Sequence, residues 1–174
     1  MRFPVFLRHE LGTVYQAPQL LGNREAYEAE CARIDKRGML AIEFQDTADT
    51  HGVYRKYGCF IIGDRLIPRH LYMSRNWLVK SADIVDAAFL KEELDYMDAN
   101  PHAQRLLKVC RMANIGYGRI DYALLNGEPQ IWEINTTPQL LFPPGHDLPE
   151  RDPVQAHFAR GLAAAFDAVD PPAV

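Results

Sequence analysis

Two stretches in which apolar and polar residues alternate, each folding back at a glycine-bearing turn, constrain this 174-residue chain more than any other feature. The first runs through 53–62 and 66–73 around Gly63-Asp64, the second through 117–125 and 129–135 around Asn126-Gly127. A period of two broken by such a turn predicts antiparallel hairpins. Between them the pattern changes to helical spacing over 83–97 and 101–114, divided by Asp98-Ala99-Asn100-Pro101 with proline at the first helical position. Upstream, 3–8 reads as a short strand and 39–44 as a buried one. From 24 to 37 a helix is expected, with Asn23 as its N-cap and Gly38 as its stop. Pro138, Pro143, Pro144 and Gly145 interrupt regular structure before a last amphipathic helix over 152–168. The predicted class is α+β with antiparallel hairpins.

Composition narrows the partners. With 48% hydrophobic and 24% charged residues the chain can fill a core. Its apolar runs are far shorter than the roughly 18 residues that cross a bilayer, so a soluble, cytoplasmic protein with no membrane partner is expected. Nineteen basic against 23 acidic residues leave a net charge of -4, which supplies no excess of cations for a nucleic-acid backbone. Cys31, Cys59 and Cys110 show no CxxC spacing and read as small apolar residues, and the six histidines lack the short spacing of a zinc site.

The chemistry concentrates in the second hairpin. Glu133 and Asn135 are two apart on a strand and share a face, with Ile134 on the other. Asp121 joins them only under one register. A two- or four-residue loop pairs it with Trp132, whereas a three-residue loop with Gly127 left-handed and a bulge pairs it with Glu133. An odd-length or bulged turn is therefore expected if the three act together. Arg119 shares the face of Asp121, and two carboxylates with an amide oxygen form a hard-oxygen set suited to Mg²⁺. Arg55 and Lys56 are adjacent, so on a strand only one can face a given site. Trp132 reads as core, Glu92, Glu93 and Asp95 as a solvated helix face, and Lys80 as a solvated lysine, with a phosphate contact from its loop as the lesser alternative.

The run Gly118-Arg119-Ile120-Asp121, the Asn-Gly turn and Glu133-Ile134-Asn135-Thr136-Thr137-Pro138 resemble the metal-binding signature of the ATP-grasp superfamily, in particular its D-alanine–D-alanine ligase-like and RimK-like branches. The resemblance implies that Asp121, Glu133 and Asn135 hold Mg²⁺, with Mn²⁺ as a substitute, between ATP phosphates, and that Arg119 is catalytic, supporting the acyl-phosphate or tetrahedral intermediate. Upstream it implies phosphate contacts from Arg8 and Lys56, adenine contacts from Glu43 and the Phe44 backbone, and a ribose contact from Asp46. It covers about residues 3–140 and is most specific at its end. The implied fold is a truncated ATP-grasp small lobe and hinge over 1–45, and a large lobe with an antiparallel sheet and flanking helices over 46–174. The implied activity is an ATP-dependent carboxylate–amine or carboxylate–thiol ligase acting through an acyl phosphate on small-molecule or peptide substrates. The family's N-terminal substrate domain and full small lobe have no counterpart in this sequence, and 9–13 carries a single glycine where a glycine-rich flap would lie. Completion by an N-terminal partner domain or a second copy is thus one expectation, and a non-catalytic nucleotide-binding or interaction module the alternative.

Overall fold

The structure, a computed structural model, describes residues 1–10, 18–141 and 149–169. The glycine-poor segment after Arg8, apart from His9 and Glu10, and the proline-rich stretch at 143–145 lie outside the described residues. The chain divides into two compact units, Met1–Asp46 and Thr47–Val174.

In the first unit, β1 (Val5–His9) pairs antiparallel with β2 (Met39–Glu43), Val5 opposite Glu43 and His9 opposite Met39. Between them lies α1 (Arg24–Arg33), whose N-cap Asn23 accepts the Ala26 N–H at 2.9 Å. The helix stops four residues short of the expected end. Ile34 is extended, and the Asp35 carboxylate accepts the Arg37 N–H at 3.1 Å, an Asx turn that competes with further helix.

The second unit is built on a four-stranded antiparallel sheet of order β4-β3-β5-β6. Its strands are β3 (Tyr54–Ile62), β4 (Arg65–Ser74), β5 (Tyr117–Leu125) and β6 (Glu128–Asn135). Both hairpins have the expected positions. In the second, Asn126 and Gly127 have φ of 54° and 80°, a two-residue turn in which both central positions are left-handed. The helices are α2 (Ala87–Ala99), α3 (Ala103–Met112) and α4 (Asp152–Val169). α2 starts four residues later than its periodicity suggests, because Asp83 accepts from the Ser74 hydroxyl at 2.6 Å and the Arg75 N–H at 3.2 Å, and Asp86 becomes the N-cap.

Tyr57, Cys59 and Ile61 of β3 point to one side, where Ile120 and Tyr122 of β5 join Phe89, Tyr96 and Met97 of α2 and Leu106 and Cys110 of α3 in the core. Tyr57 stacks on its register partner Tyr122 at 5.2 Å, and burial pushes the Tyr57 hydroxyl up to about 12. Phe60 points the other way and meets Phe158 of α4 at 5.2 Å. The buried carbonyl of Gly58 is satisfied from the core side by the Tyr96 hydroxyl at 3.1 Å, which in turn accepts from Tyr122 at 3.2 Å. Cys59 and Cys110 are buried and Cys31 is partly so, all three as free thiols. Among the described residues, no helix is long and apolar enough to cross a membrane.

Two expectations fail here. Glu93 does not face water: it is fully buried, bonded to Arg151 at 2.6 and 3.0 Å and accepting the Leu71 N–H of β4 at 3.0 Å. Periodicity alone cannot show a carboxylate whose partner lies 58 residues away. Trp132 is 41% exposed and so is not core, for a reason that belongs to the site.

Candidate functional site

Asp121 stands opposite Glu133, and Arg119 opposite Asn135. All four side chains therefore project from one face of β5 and β6. The means differs from the expected odd-length loop. The turn holds two residues, and one extra residue enters β6 farther along: Tyr122 pairs with Ile131 while the next residue, Asp121, pairs with Glu133. Trp132 is the unpaired bulge residue. The bulge keeps Ile131 opposite the core-facing Tyr122 and returns Glu133 to the face of Asp121, while Trp132 is left at the surface.

β3 supplies the cation on the other side. Gly58 is the partner of Asp121, so Lys56, two residues earlier, shares that face. Its ammonium lies 3.7 Å from Asp121 and 5.6 Å from the centre of the Tyr72 ring. Arg55 points away and is held by Asp49 at 2.6 Å and Glu92 at 2.7 Å. Arg119 grips Asp121 with two bonds, Nε to Oδ1 at 2.7 Å and Nη2 to Oδ2 at 3.0 Å. Asp121 is buried, Arg119 and Lys56 keep about a fifth of their side-chain surface (19% each), and Glu133 and Asn135 are half-buried. Burial lowers the Lys56 pKa; Asp121 opposes this, while Arg119 and Lys80 reinforce it. Lys80, on the loop after β4, is exposed, as its reading as a solvated lysine expects, and stands near enough to act on Lys56.

Gly58 has a second role. A Cβ there would lie 2.5–2.9 Å from three atoms of the His70 imidazole, its register partner on β4. The glycine leaves room for that ring, which stacks on Tyr72 at 4.1 Å. His70 is buried, and burial followed by the charges of Lys56 and Arg119 holds its pKa well below the usual imidazole value. A glycine inside an apolar strand was the available sign that something lies close above it.

The remaining expected residues are in the first unit. Arg8 is on β1 opposite Leu40. Glu43 ends β2 and accepts from the Arg2 backbone N–H at 2.7 Å and Arg2 Nε at 3.1 Å, bonds that lower its pKa. The Phe44 N–H donates to the Pro4 carbonyl at 3.0 Å, and Asp46 closes the unit.

No family model matches this chain, and no curated protein matches it by sequence. Solved structures do. D-alanine–D-alanine ligase from Bacillus anthracis is similar over 95% of this chain and 54% of its own, with a TM-score of 0.52 at 15% identity. The same ligase complexed with ATP is similar over 95% and 55%, with a TM-score of 0.50 at 13% identity. The chain has the ATP-grasp fold. It spans about half the length of the ligase chains that it matches.

Within this fold the oxygen set suits a hard divalent cation. Two carboxylates directly across a strand pair repel each other unless positive charge is supplied, and here Arg119 and Lys56 supply it. Asn135 Oδ1 accepts the Thr137 N–H at 2.9 Å and, at 3.5 Å, the Thr137 hydroxyl, which a metal on the second lone pair would displace. Among the described residues, no cluster of three or more His, Cys, Asp or Glu side chains could hold a metal. A metal at this site would thus need the amide of Asn135 as a third protein ligand.

Proposed function

We propose that this chain binds Mg²⁺-ATP and that the reaction it serves is ATP-dependent ligation of a carboxylate to an amine or a thiol through an acyl phosphate. The observation that carries the reading is the register that sets Asp121 against Glu133 and Arg119 against Asn135, with Lys56 beside them. ATP-grasp ligases share the fold, and one of the matched structures contains ATP.

Asp121, Glu133 and Asn135 would hold Mg²⁺, which when bound neutralises negative charge on phosphate oxygens. Lys56 adds a fixed positive charge within reach of the same oxygens. Arg119 keeps donors on Nη1 beyond the two bonds to Asp121 and can support an oxyanion at the reacting carbon. Arg8, Glu43, the Phe44 backbone and Asp46 are the candidates for the phosphate, adenine and ribose contacts of the first unit. The substrates would be small molecules or peptides in the cytoplasm, with an N-terminal partner domain or a second copy completing acceptor recognition.

The test is calorimetry of ATP with and without Mg²⁺ on the wild-type chain, Asp121→Ala and Glu133→Ala. Metal-dependent binding that both substitutions abolish is expected. Wild type that binds no nucleotide, or variants that bind Mg²⁺-ATP as wild type does, would sink the assignment. A second reading, nucleotide binding without ligation, is favoured by the two-bond grip of Arg119 on Asp121, which occupies both carboxylate oxygens. Phosphate release with a panel of carboxylates and amines separates the two.

A further inference from the structure

The His70 ring lies on the site face with its N–C–N edge over Gly58, whose register partner across β3 and β5 is Asp121. The residue is 3% exposed, and among the described residues its Nε2 is buried with no hydrogen-bond partner. Buried polar atoms are nearly always paired, so an unpaired one calls for a partner that the protein itself does not provide. The Lys56 ammonium, on the same face, makes no hydrogen bond among the described residues, only the 3.7 Å approach to Asp121 and the contact with the Tyr72 ring. An ammonium and an imidazole Nε2 that both neighbour the Tyr72 ring, at 5.6 Å for Lys56 and 4.1 Å for the His70 ring, are complementary to an acceptor oxygen. Burial, and after it the charges of Lys56, Arg119, Arg69 and Arg151, disfavour protonation of the ring, which therefore stands as a neutral imidazole.

We propose that His70, as the Nε2–H tautomer, donates a hydrogen bond to a phosphoryl oxygen that Lys56 also binds. The proposal rests on the nucleotide reading and adds to it a neutral donor, held in place by Tyr72 and given room by Gly58. Such an oxygen could belong to the nucleotide or to free phosphate, and Lys56 must shift with the ligand for it to reach the ring.

The test uses the full chain with ¹⁵N-labelled histidine, the His70 signals being assigned by their loss in His70→Gln. Saturable shifts of the His70 ring nitrogens are expected on titration with Mg²⁺ and a non-hydrolysable ATP analogue. The same shifts with inorganic phosphate alone would point to a free-phosphate source, and acetate should cause none. In calorimetry, His70→Leu should weaken analogue binding about tenfold, the worth of one hydrogen bond to a charged oxygen. His70→Gln keeps a donor and should stay within about threefold. Wild type that binds the analogue with its His70 signals unmoved would overturn the proposal, as would acetate shifting them where phosphate does not. If the analogue fails to bind but phosphate shifts His70, the nucleotide reading falls and the contact stands; if neither binds, both fall. Should the variants not fold by circular dichroism, the wild-type shifts alone decide.

Discussion

Two arginine–carboxylate pairs hold different parts of the same sheet, and they differ in how much of their charge is spoken for. Arg151 and Glu93 sit beside β4, the edge strand, with 2% and 0% of their side chains exposed. Glu93 also takes the Leu71 N–H, and the Arg151 guanidinium lies 4.9 Å over the Tyr72 ring. A free edge amide is thereby covered, and α2 is tied to the turn that opens α4. Arg119 and Asp121 bond with almost the same two-armed geometry on an inner strand, yet Glu133 stands opposite Asp121 and Lys56 flanks it. A carboxylate and a guanidinium that meet in a dry setting form a lock. Two carboxylates shared among two cations at a partly open face can exchange partners, which is what a metal or phosphate site requires.

The largest expected effect breaks the lock. Glu93→Ala removes both bonds to the buried Arg151 guanidinium and the acceptor of the Leu71 N–H, and should destabilise the chain by about 3–5 kcal/mol in urea unfolding. Glu93→Leu with Arg151→Met should recover most of that. A loss below about 1 kcal/mol for the single variant would remove the contrast between the pairs. Next comes Asp121→Asn, which keeps shape and should cost only about 1–2 kcal/mol of stability. Its signature is different: stabilisation by Mg²⁺-ATP, about 2.7 kcal/mol at a hundredfold excess over Kd, should disappear from thermal melts.

A loss of about 1–2 kcal/mol, with no effect of ligand attached to it, is expected for Gly58→Ala, because the added methyl collides with the His70 ring. Combining it with His70→Ala should cost less than the two changes summed, and strict additivity would show that the ring is not what the glycine accommodates. The smallest effect concerns acid. Bonds from Arg55, then from the Val53 and His51 N–H groups, draw the Asp49 pKa from 3.8 down to about 2. A depressed carboxyl stabilises the fold above its unfolded value and loses that contribution as pH falls through the folded one. Stability of the wild type should therefore drop between about pH 4 and pH 2 more steeply than that of Asp49→Asn; parallel curves would contradict it.

Much of this arrangement was legible in advance. The hairpins, the helices and the shared face of Glu133 and Asn135 follow from alternation and turn residues, which are local. The pairing of Asp121 with Glu133 was foreseen as a condition on the turn, but its cause was misplaced, since the bulge occurs at Trp132 and the Asn126-Gly127 turn is the ordinary two-residue one. Nothing within six residues of Trp132 distinguishes it from a core tryptophan. The place of His70 was not legible, because it depends on which strand comes beside Gly58.

The order of elements, the two hairpin positions and the identity of the oxygen-bearing residues were set by the sequence itself, through periodicity and the backbone preferences of Asn, Gly and Pro. Tertiary structure alone decided that β3 lies between β4 and β5, that Glu93 meets Arg151, and that His70 covers Gly58. Those outcomes depend on burial and on charge partners far apart in the chain. A side chain's desolvation and neighbours exist only once the sheet has assembled.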